Sequence, residues 1–424
     1  MRIAIWHNLP SGGGNRALYY QALGLLKRGH QLSIWSPEHA DNRFVTALLQ
    51  VQPVPVHTRP VAYSPQMNRH EQWRAFWFED SANIRAMKEA CRLWADELAR
   101  EKPDIVLIHS CHHFAVPFLG RYLDLPTVLY LHEPNRFLYE NQDGIGWSAP
   151  ESISGNRLAP SNWRILWNDH CLTNFKRVMI REEIRNFKGY NRVLVNSYFT
   201  NESVIRAYGA AAEVCYLGID TELFQDYALP RESLVIGLGT FMAHKNPELV
   251  IQALSRMGTL APKLLWISNH TEPEFLQKML RLASQLRVSL EVRTDISDQD
   301  LVNVLNRGCC LIYTSRLEPF GFAPLEANAC GMPVVSVAEG GIRETIESGV
   351  NGLLVESNPD ALAETLGRLL SDEPLWQHLS TGAVQHVREK WNWERSIDQL
   401  EAVLKETRRA GNTLHASLKT AFSP

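Results

Sequence analysis

Two glutamates stand eight positions apart around a predicted helix start in the second half of the chain, Glu318 and Glu326. Pro324 is tolerated only in the first turn of a helix, so the helix begins near Gly321 or Phe322. Backbone N–H groups at a helix start favour an anion, and carboxylates accept hydrogen bonds from the vicinal hydroxyls of a hexose or a ribose. The segment therefore has the groups that a nucleotide sugar requires.

A lysine follows a predicted strand that ends in glycine, in the stretch from Gly239 to Glu248. A positive charge at this place would stabilise a departing nucleoside diphosphate. We expect Lys245 to contact a diphosphate, and the alternative is a solvated surface lysine.

Three adjacent glycines follow the first predicted strand and open a helix: Gly12, Gly13 and Gly14. Glycine lets a backbone approach a phosphate closely. A dinucleotide-binding loop is one alternative, but the second strand ends in Trp35 and Ser36 without the acid that binds a ribose. A tight structural turn is the other alternative.

These segments together resemble the retaining glycosyltransferase family 4, whose members have the two-domain GT-B fold. The resemblance covers nearly the whole chain. It rests on the Glu-x7-Glu motif of Glu318 and Glu326 with its Pro-Phe-Gly turn, and on the downstream segments 339–344 and 349–355. It implies an α/β chain of two Rossmann-like parallel-sheet domains that face a central cleft.

The resemblance also implies roles for the residues of the motif. Glu318 would contact the transferred sugar, and Glu326 the ribose of the nucleotide. The backbone amides around the helix start would contact the sugar or its phosphate, from Phe320, Gly321 and Phe322.

In the lysine loop the match to the family is incomplete. Lys245 matches the phosphate-binding lysine of the family, but Thr240 stands where the family usually has arginine. The missing positive charge could come from Arg16, His244 or Arg316. In the first half, the resemblance implies that Gly13 and Gly14 contact the donor.

His132 ends a predicted strand and matches the first-domain histidine that reaches the donor sugar across the cleft in the family. The alternative is a core or capping histidine. At the exit of the preceding strand lie His109, His112 and His113. No carboxylate completes them as a metal site, so we expect acceptor-side or structural roles.

Neither a metal ion nor another cofactor is expected. The segment Asp298–Asp300 copies the Asp-x-Asp metal motif of a different glycosyltransferase fold. Acidic residues are favoured in the first turn of any helix, so we interpret these two as helix capping.

The elements that must position these residues follow from twelve short apolar runs, six in each half, with amphipathic helical stretches between them. This alternation predicts two parallel, doubly wound sheets. We expect domains at 1–217 and 218–410, a hinge within 218–233, a last helix that packs back on the first domain, and a flexible tail at 411–424. The runs are 3–6, 32–35, 105–108, 128–131, 193–195, 214–217, 234–238, 264–267, 288–292, 309–313, 334–337 and 353–355.

Composition excludes several classes of protein. With 45% hydrophobic and 21% charged residues the chain is globular, and a net charge of −3 disfavours nucleic acid as a partner. Seven scattered cysteines without CxxC spacing predict reduced thiols. No signal peptide and no apolar run of about 18 to 20 residues occur, so we expect a cytoplasmic protein, with peripheral contact to the inner face of the membrane left open.

The resulting expectation is a retaining glycosyltransferase that takes a hexose-type sugar from a nucleotide diphosphate sugar. The acceptor, a glycan, a lipid-linked molecule or a small molecule, is not identified by the sequence. An aromatic cluster has two interpretations: its rings stack on an acceptor sugar, or they pack in the core. The cluster consists of Trp73, Phe76, Trp77 and Phe78. The alternatives are a GT-B phosphorylase or epimerase, a catalytically silent nucleotide-sugar-binding subunit, and a nicotinamide-dependent dehydrogenase.

Overall fold

The computed structural model describes residues 1–62, 82–140 and 160–421. The chain divides into two compact units. The N-terminal unit comprises Met1–Asn196, Thr200–Cys215 and Gln399–Pro424, and the C-terminal unit comprises Ser197–Phe199 and Tyr216–Asp398. The aromatic cluster predicted at 73–78 lies outside the described residues.

The N-terminal unit is built on a seven-stranded parallel sheet of order β3-β2-β1-β4-β5-β6-β7. Helices cover both faces, so β4 and β5 are buried along their whole length, as their continuous apolar runs predict. The strands are β1 (Arg2–Asn8), β2 (Gln31–Pro37), β3 (Val56–Arg59), β4 (Ile105–Cys111), β5 (Thr127–Leu131), β6 (Arg192–Val195) and β7 (Glu213–Val214).

In the part of this unit that the structure describes, six helices lie between these strands or flank them. The helix α6 begins in the stretch assigned to the C-terminal unit and continues in the N-terminal one. The helices are α1 (Gly13–Lys27), α2 (Arg43–Val51), α3 (Ala82–Glu101), α4 (Arg136–Tyr139), α5 (Pro160–Phe187) and α6 (Tyr198–Tyr208).

The C-terminal unit contains a six-stranded parallel sheet of order β10-β9-β8-β11-β12-β13. Its strands are β8 (Leu234–Leu238), β9 (Lys263–Ser268), β10 (Leu290–Thr294), β11 (Cys310–Tyr313), β12 (Val334–Val337) and β13 (Gly352–Val355). Its helices are α7 (Pro247–Arg256), α8 (Pro273–Gln285), α9 (Asp298–Arg307), α10 (Phe322–Ala329), α11 (Ile342–Thr345), α12 (Pro359–Ser371) and α13 (Glu373–Lys390).

The order of strands reverses direction once in each sheet. The reversal lies between β1 and β4 in the first sheet and between β8 and β11 in the second. In open parallel sheets ligands bind beyond the carboxyl ends of the strands at such a point. The loops after these four strands are therefore where each unit can hold a site.

The last helix, α14 (Trp393–Ala421), changes unit along its length, because Gln399 onward belongs to the N-terminal unit. Glu401 on this helix lies 2.8 Å from His30 Nε2, and Arg408 lies 3.1 Å from Asp104. The division thus differs from the bounds 1–217 and 218–410. The helix also runs past Gly411, where the sequence suggested a tail, as far as Ala421.

Eleven of the twelve predicted runs overlap a strand by three or more residues, and all seven cysteines are free and buried as predicted. The run at 214–217 meets β7 only at Val214, and β10 begins two residues later than predicted. Strand β3 was not among the predicted runs. It is a four-residue edge strand whose side chains alternate between exposed and half-buried. An edge strand needs no continuous apolar run, so it leaves little signal.

Glu183 on α5 carries a carboxyl group inside the core of the N-terminal unit. It accepts a hydrogen bond from the Ala115 backbone N–H at 3.0 Å and from the Tyr208 hydroxyl at 3.1 Å. Burial raises the pKa of Glu183 to about 7, and these hydrogen bonds offset only part of the rise. The carboxyl group is therefore neutral in mildly acidic solution and pays a desolvation cost when it ionises.

We expect Glu183→Gln to gain stability relative to the wild type as pH rises from about 5 to 8. The folded-state pKa, about 7, lies above the reference value of 4.5. The wild-type carboxyl group therefore contributes stability that is complete below pH 4.5 and is lost as pH rises through 7, about 3 kcal/mol in all. Glutamine stays neutral. Denaturant unfolding at several pH values measures the difference.

Glu182→Gln is the matched control, because the adjacent carboxylate has the opposite shift. Burial opposes its ionisation, but Lys88 at 3.3 Å and Arg121 at 2.8 Å lower the pKa of Glu182 overall. This variant should be less stable than the wild type at neutral pH, with a deficit that shrinks as pH falls below about 4.5. A pH-independent difference for Glu183→Gln would contradict the assignment.

Candidate functional site

The loop after β8 places Lys245 at the reversal point of the second sheet. Gly239 has φ 126°, which favours glycine, and its carbonyl accepts a hydrogen bond from Trp266 Nε1 at 2.9 Å. A short 3₁₀ turn then ends at Lys245, and Asn246, with φ 53°, leads into α7. Thr314 Oγ1 donates to the Lys245 carbonyl at 2.9 Å. The lysine loop is thus held at its start by Trp266 of β9 and at Lys245 by Thr314, which directly follows β11.

The Lys245 ammonium group contacts Glu318, the first acid of the motif. Nζ lies 2.6 Å from Glu318 Oε2, and each side chain is 16% exposed. Two hydroxyls donate to the same oxygen, Tyr313 at 2.9 Å and Ser315 at 2.7 Å. Burial, followed by the Glu318 and Glu326 carboxylates, raises the pKa of Tyr313, so it remains a protonated donor. One carboxylate oxygen therefore has three donors around it.

The helix start predicted near residue 321 is found there. Gly321 is the N-cap of α10 with φ 90°, and a Cβ at this position would lie 2.3 Å from Ile342 Cδ1. Only glycine satisfies both constraints. Gly321 has no side chain to cap the helix, so the first N–H groups of α10 can bind an anion. The ring of Phe320 packs edge-to-face with Phe322 at 5.4 Å and with Trp391 at 5.5 Å.

Glu326 lies in the second turn of α10 and is 3% exposed. It acts electrostatically on Tyr313 and on Cys330, whose pKa is raised to about 12 by burial first and by Glu326 second. Glu318 and Glu326 thus both lie within electrostatic reach of the Tyr313 hydroxyl. The structure brings together the two acids that the sequence singled out.

Two glycines support the backbone of the Glu318 loop. A Cβ on Gly341 would lie 2.1 Å from the Pro319 carbonyl oxygen, and one on Gly340 would lie 2.5 Å from the Glu318 carbonyl oxygen. The Gly341 N–H donates to that same Glu318 oxygen at 2.7 Å. The segment 339–344 therefore has a structural reason for its glycine pair, because only a bare backbone can pack this closely.

The residues considered as substitutes for the missing arginine fall in different places. Thr240 Oγ1 and His244 Nε2 are 3.2 Å apart, and the Arg316 N–H donates to the His244 carbonyl at 2.9 Å. The Arg316 side chain is exposed and has no ion pair or side-chain hydrogen bond within the described residues. His244 and Arg316 thus flank the lysine loop, whereas Arg16 belongs to the N-terminal unit.

In the N-terminal unit, the glycine loop and His132 are neighbours. Gly12 has φ 138°, and α1 starts at Gly13. A Cβ on Gly14 would lie 3.6 Å from His132 Cδ2, so the first turn of α1 lies over the imidazole ring. The His132 N–H donates to Ser110 Oγ at 3.0 Å. Burial lowers the pKa of His132 to about 4, so the ring is neutral near pH 7.

The remaining metal candidates have other partners. Ser297 caps α9 by accepting the Asp300 N–H at 3.1 Å, and Asp298 and Asp300 lie in the first turn of that helix. The rings of His112 and His113 lie 5.1 Å apart, and His109 bonds to His132. Among residues 1–62, 82–140 and 160–421, no group of three or more metal-binding side chains is assembled.

Two family models match the chain. Glycosyltransferase Family 4 matches residues 11–223, half of the chain, and Glycosyl transferases group 1 matches residues 220–386. The chain belongs to glycosyltransferase family 4. The two matches meet at residues 220–223, close to Tyr216, where the C-terminal unit begins its long segment.

Relatives and solved structures agree with this membership. The family-4 chain is 29% identical over 245 residues to D-inositol 3-phosphate glycosyltransferase 1 of Catenulispora acidiphila, with 52% of this chain and 58% of the relative aligned. Sucrose-phosphate synthase of Thermosynechococcus elongatus aligns with TM-score 0.70 and 17% identity, over 97% of this chain and 100% of that one. HepE of Anabaena, solved in complex with UDP, aligns with TM-score 0.69 and 17% identity, over 96% of this chain and 100% of that one.

The two solved structures confirm the fold class, GT-B, with two Rossmann-like parallel-sheet units. The alignment with the Catenulispora enzyme spans less than two thirds of that enzyme. Within the described parts of this family-4 chain, no helix combines the length and the apolar character that a membrane span requires.

Two residues of the site were missed by sequence reasoning, Tyr313 and Ser315. Tyr313 is the end of a predicted apolar run, and Ser315 lies three residues before Glu318. Both donate to Glu318 Oε2. The available signal was their position: they stand at and just beyond the carboxyl end of β11, which is where parallel sheets place site residues.

We expect Gly341→Ala to displace the Glu318 loop. Gly341 has φ −72°, which alanine adopts freely, so the effect is steric: the new methyl group would meet Pro319 O at 2.1 Å. Overpacking of this kind costs about 1–3 kcal/mol. Thermal unfolding should show the loss of stability, and amide hydrogen exchange should accelerate between residues 318 and 322.

Gly367→Ala is the matched control, because it adds the same methyl group in the same unit. Gly367 lies within α12, and a Cβ there meets nothing within 4 Å. Alanine should stabilise the helix by about 0.5–1 kcal/mol and leave exchange at 318–322 unchanged. Equal melting temperatures for the two variants would show that Gly341 does not support the loop.

Proposed function

We propose that the protein is a retaining glycosyltransferase that moves a hexose-type sugar from a nucleotide diphosphate sugar to an acceptor hydroxyl. The observation that carries this proposal is the contact of Lys245 with Glu318 beside the uncapped start of α10. It places one cation, a set of free amides and a carboxylate side by side. A sugar diphosphate presents the complementary groups, two phosphates and a ring of hydroxyls.

In this proposal the donor is divided among three sets of groups. Lys245 and the first N–H groups of α10 neutralise the diphosphate. Glu318 accepts hydrogen bonds from hydroxyls of the transferred sugar, and Glu326 accepts them from the ribose. Arg316 and His244 supply the charge that Thr240 does not.

Binding of the diphosphate draws the Lys245 ammonium group away from Glu318. Tyr313 and Ser315 continue to donate to Glu318 Oε2 when this happens, at 2.9 and 2.7 Å. A carboxylate with two remaining donors stays ionised and oriented. Glu318 can therefore bind the sugar while Lys245 binds the phosphate.

The same hydrogen bonds favour displacement from one face of the sugar, with retention of configuration. With the diphosphate bound, Glu318 Oε2 still accepts two hydrogen bonds, from Tyr313 and Ser315, which weaken it as a nucleophile, so we assign Glu318 to binding and not to a covalent intermediate. The leaving phosphate takes the proton of the acceptor hydroxyl, and Lys245 with the helix amides stabilises the charge that develops on it. We propose that these groups make a metal ion unnecessary.

We expect Lys245→Ala to lower kcat by about 100- to 1,000-fold, because it removes a charge that the leaving group needs most in the transition state. Transfer or hydrolysis of a nucleotide sugar measures this loss, after a thermal-shift screen of UDP-, GDP- and ADP-sugars has selected the donor. Lys278→Ala is the matched control, since this exposed lysine on α8 pairs only loosely with Glu248, at 3.8 Å. The control should keep wild-type kcat.

Glu326→Ala should weaken donor binding by about 10- to 100-fold, the cost of losing a charged hydrogen bond to a hydroxyl. The KM for the donor reports this change, and circular dichroism checks that the variant is folded. Wild-type rates in both Glu326→Ala and Lys245→Ala would refute the proposal.

Four further results would change the proposal. Dependence on inorganic phosphate without a nucleotide would indicate a phosphorylase. Donor binding without turnover would indicate a silent subunit. Inversion at the anomeric carbon of the product, read by proton NMR, would exclude the retaining mechanism, and loss of activity in EDTA would exclude metal independence.

A further inference from the structure

His109 and His132 are joined through their rings at the carboxyl edge of the first sheet. His109 Nδ1 lies 3.1 Å from His132 Nε2, and the rings are nearly parallel, with an interplanar angle of 22°. His109 is completely buried, whereas His132 is partly exposed. His109 lies near the carboxyl end of β4, and His132 directly follows the neighbouring strand β5.

Both rings are neutral near pH 7. Burial lowers the pKa of His132 to about 4, and burial, then His132 and His7, lower the pKa of His109 well below its usual value. His7 at the end of β1 is itself neutral, because burial lowers its pKa to about 4. A neutral imidazole has one N–H, so one proton lies between His109 and His132 and belongs to one of them.

The two possible positions of this proton require different protonation states of the other ring nitrogen of His109, Nε2. If His132 Nε2 carries the proton, then His109 Nε2 must carry one as well, and this buried nitrogen has no hydrogen-bond partner in the described chain. If His109 Nδ1 carries it, His109 Nε2 is a bare acceptor. A buried N–H without an acceptor is the rarer and costlier defect, so the second placement is favoured.

We propose that His109 is a positioning residue that donates its Nδ1–H to His132 Nε2 and so fixes the His132 tautomer with its proton on Nδ1. His132 Nδ1 has no hydrogen bond within the described residues. It is therefore left as a donor to a hydroxyl oxygen of the substrate. This last step rests on the proposed function, whereas the tautomer itself does not.

The other contacts of His132 involve its backbone or the face of its ring. They therefore do not determine which ring nitrogen carries the proton. Ser110 accepts its backbone N–H at 3.0 Å, and Asn196 Nδ2 donates to its carbonyl at 3.0 Å. Tyr130 stacks on the His109 ring and lies tilted against the His132 ring, but its hydroxyl donates to the Cys215 carbonyl at 2.6 Å. Among the described residues, His109 is the partner that determines the tautomer.

The direct test is nitrogen NMR on the full chain labelled with ¹⁵N-histidine. Long-range proton–nitrogen correlations distinguish a protonated ring nitrogen from a bare one, and His132→Gln identifies the signals of His132 by their loss. We expect His132 to show a proton on Nδ1 and a bare Nε2. The reverse pattern would overturn the inference whether or not the protein transfers sugars.

Two variants of His109 test the consequence for turnover. His109→Asn keeps an N–H donor near the position of Nδ1 and should retain the His132 tautomer and kcat within about threefold. His109→Leu removes the donor, should mix the His132 tautomers and should lower kcat about tenfold or more with a smaller change in KM. His378→Asn, an exposed histidine of the C-terminal unit, should change neither readout.

The outcomes separate the inference from the proposed function. An unchanged His132 tautomer in His109→Leu, or no rescue by His109→Asn in a folded variant, would refute the role of His109. If His109→Leu does not fold, the wild-type NMR pattern and His109→Asn still decide. A wild-type protein with the expected tautomer but no turnover of any nucleotide sugar would refute the proposed function alone.

Discussion

The C-terminal unit depends on keeping one carboxylate, Glu318, ionised and fixed in a half-buried place. Removing a charge from water is costly unless the protein supplies donors in return. Three donors do so on one oxygen of Glu318, from Lys245, Tyr313 and Ser315. These donors come from the ends of β8 and β11, so the reversal of strand order is what brings them to one point.

The backbone around this carboxylate is held by glycine at two close approaches. Gly321 starts α10 with φ 90°, and Gly341 packs against the carbonyl of Pro319 and donates to that of Glu318. A side chain at Gly321 would collide with Ile342, and one at Gly341 would collide with the Pro319 carbonyl. The free amides of α10 and the Glu318 carboxylate thus keep their spacing through contacts that involve no charge.

The N-terminal unit uses a different kind of chemistry at the same place in its own sheet. Its strand ends carry histidines that burial keeps neutral, and their partners are one another. Two neutral imidazole rings can share one hydrogen bond in which the donor ring is fixed. In a charged pair in water the proton would exchange freely. One unit therefore has fixed charges, and the other has oriented, uncharged hydrogen bonds.

Sequence alone determined the parallel α/β plan and the helix start at residue 321, and it singled out Glu318, Glu326 and Lys245. These features depend on neighbours in the chain: apolar runs, a proline limited to the first turn, and glycines before and after a helix. The tautomer of His132 and the hydrogen bonds that Tyr313 and Ser315 donate to Glu318 could not be predicted. Each depends on which strand ends or helix faces meet in space, and residues far apart in sequence leave no local pattern that records this. The tertiary structure decided them because burial and proximity set the protonation and partners of these groups.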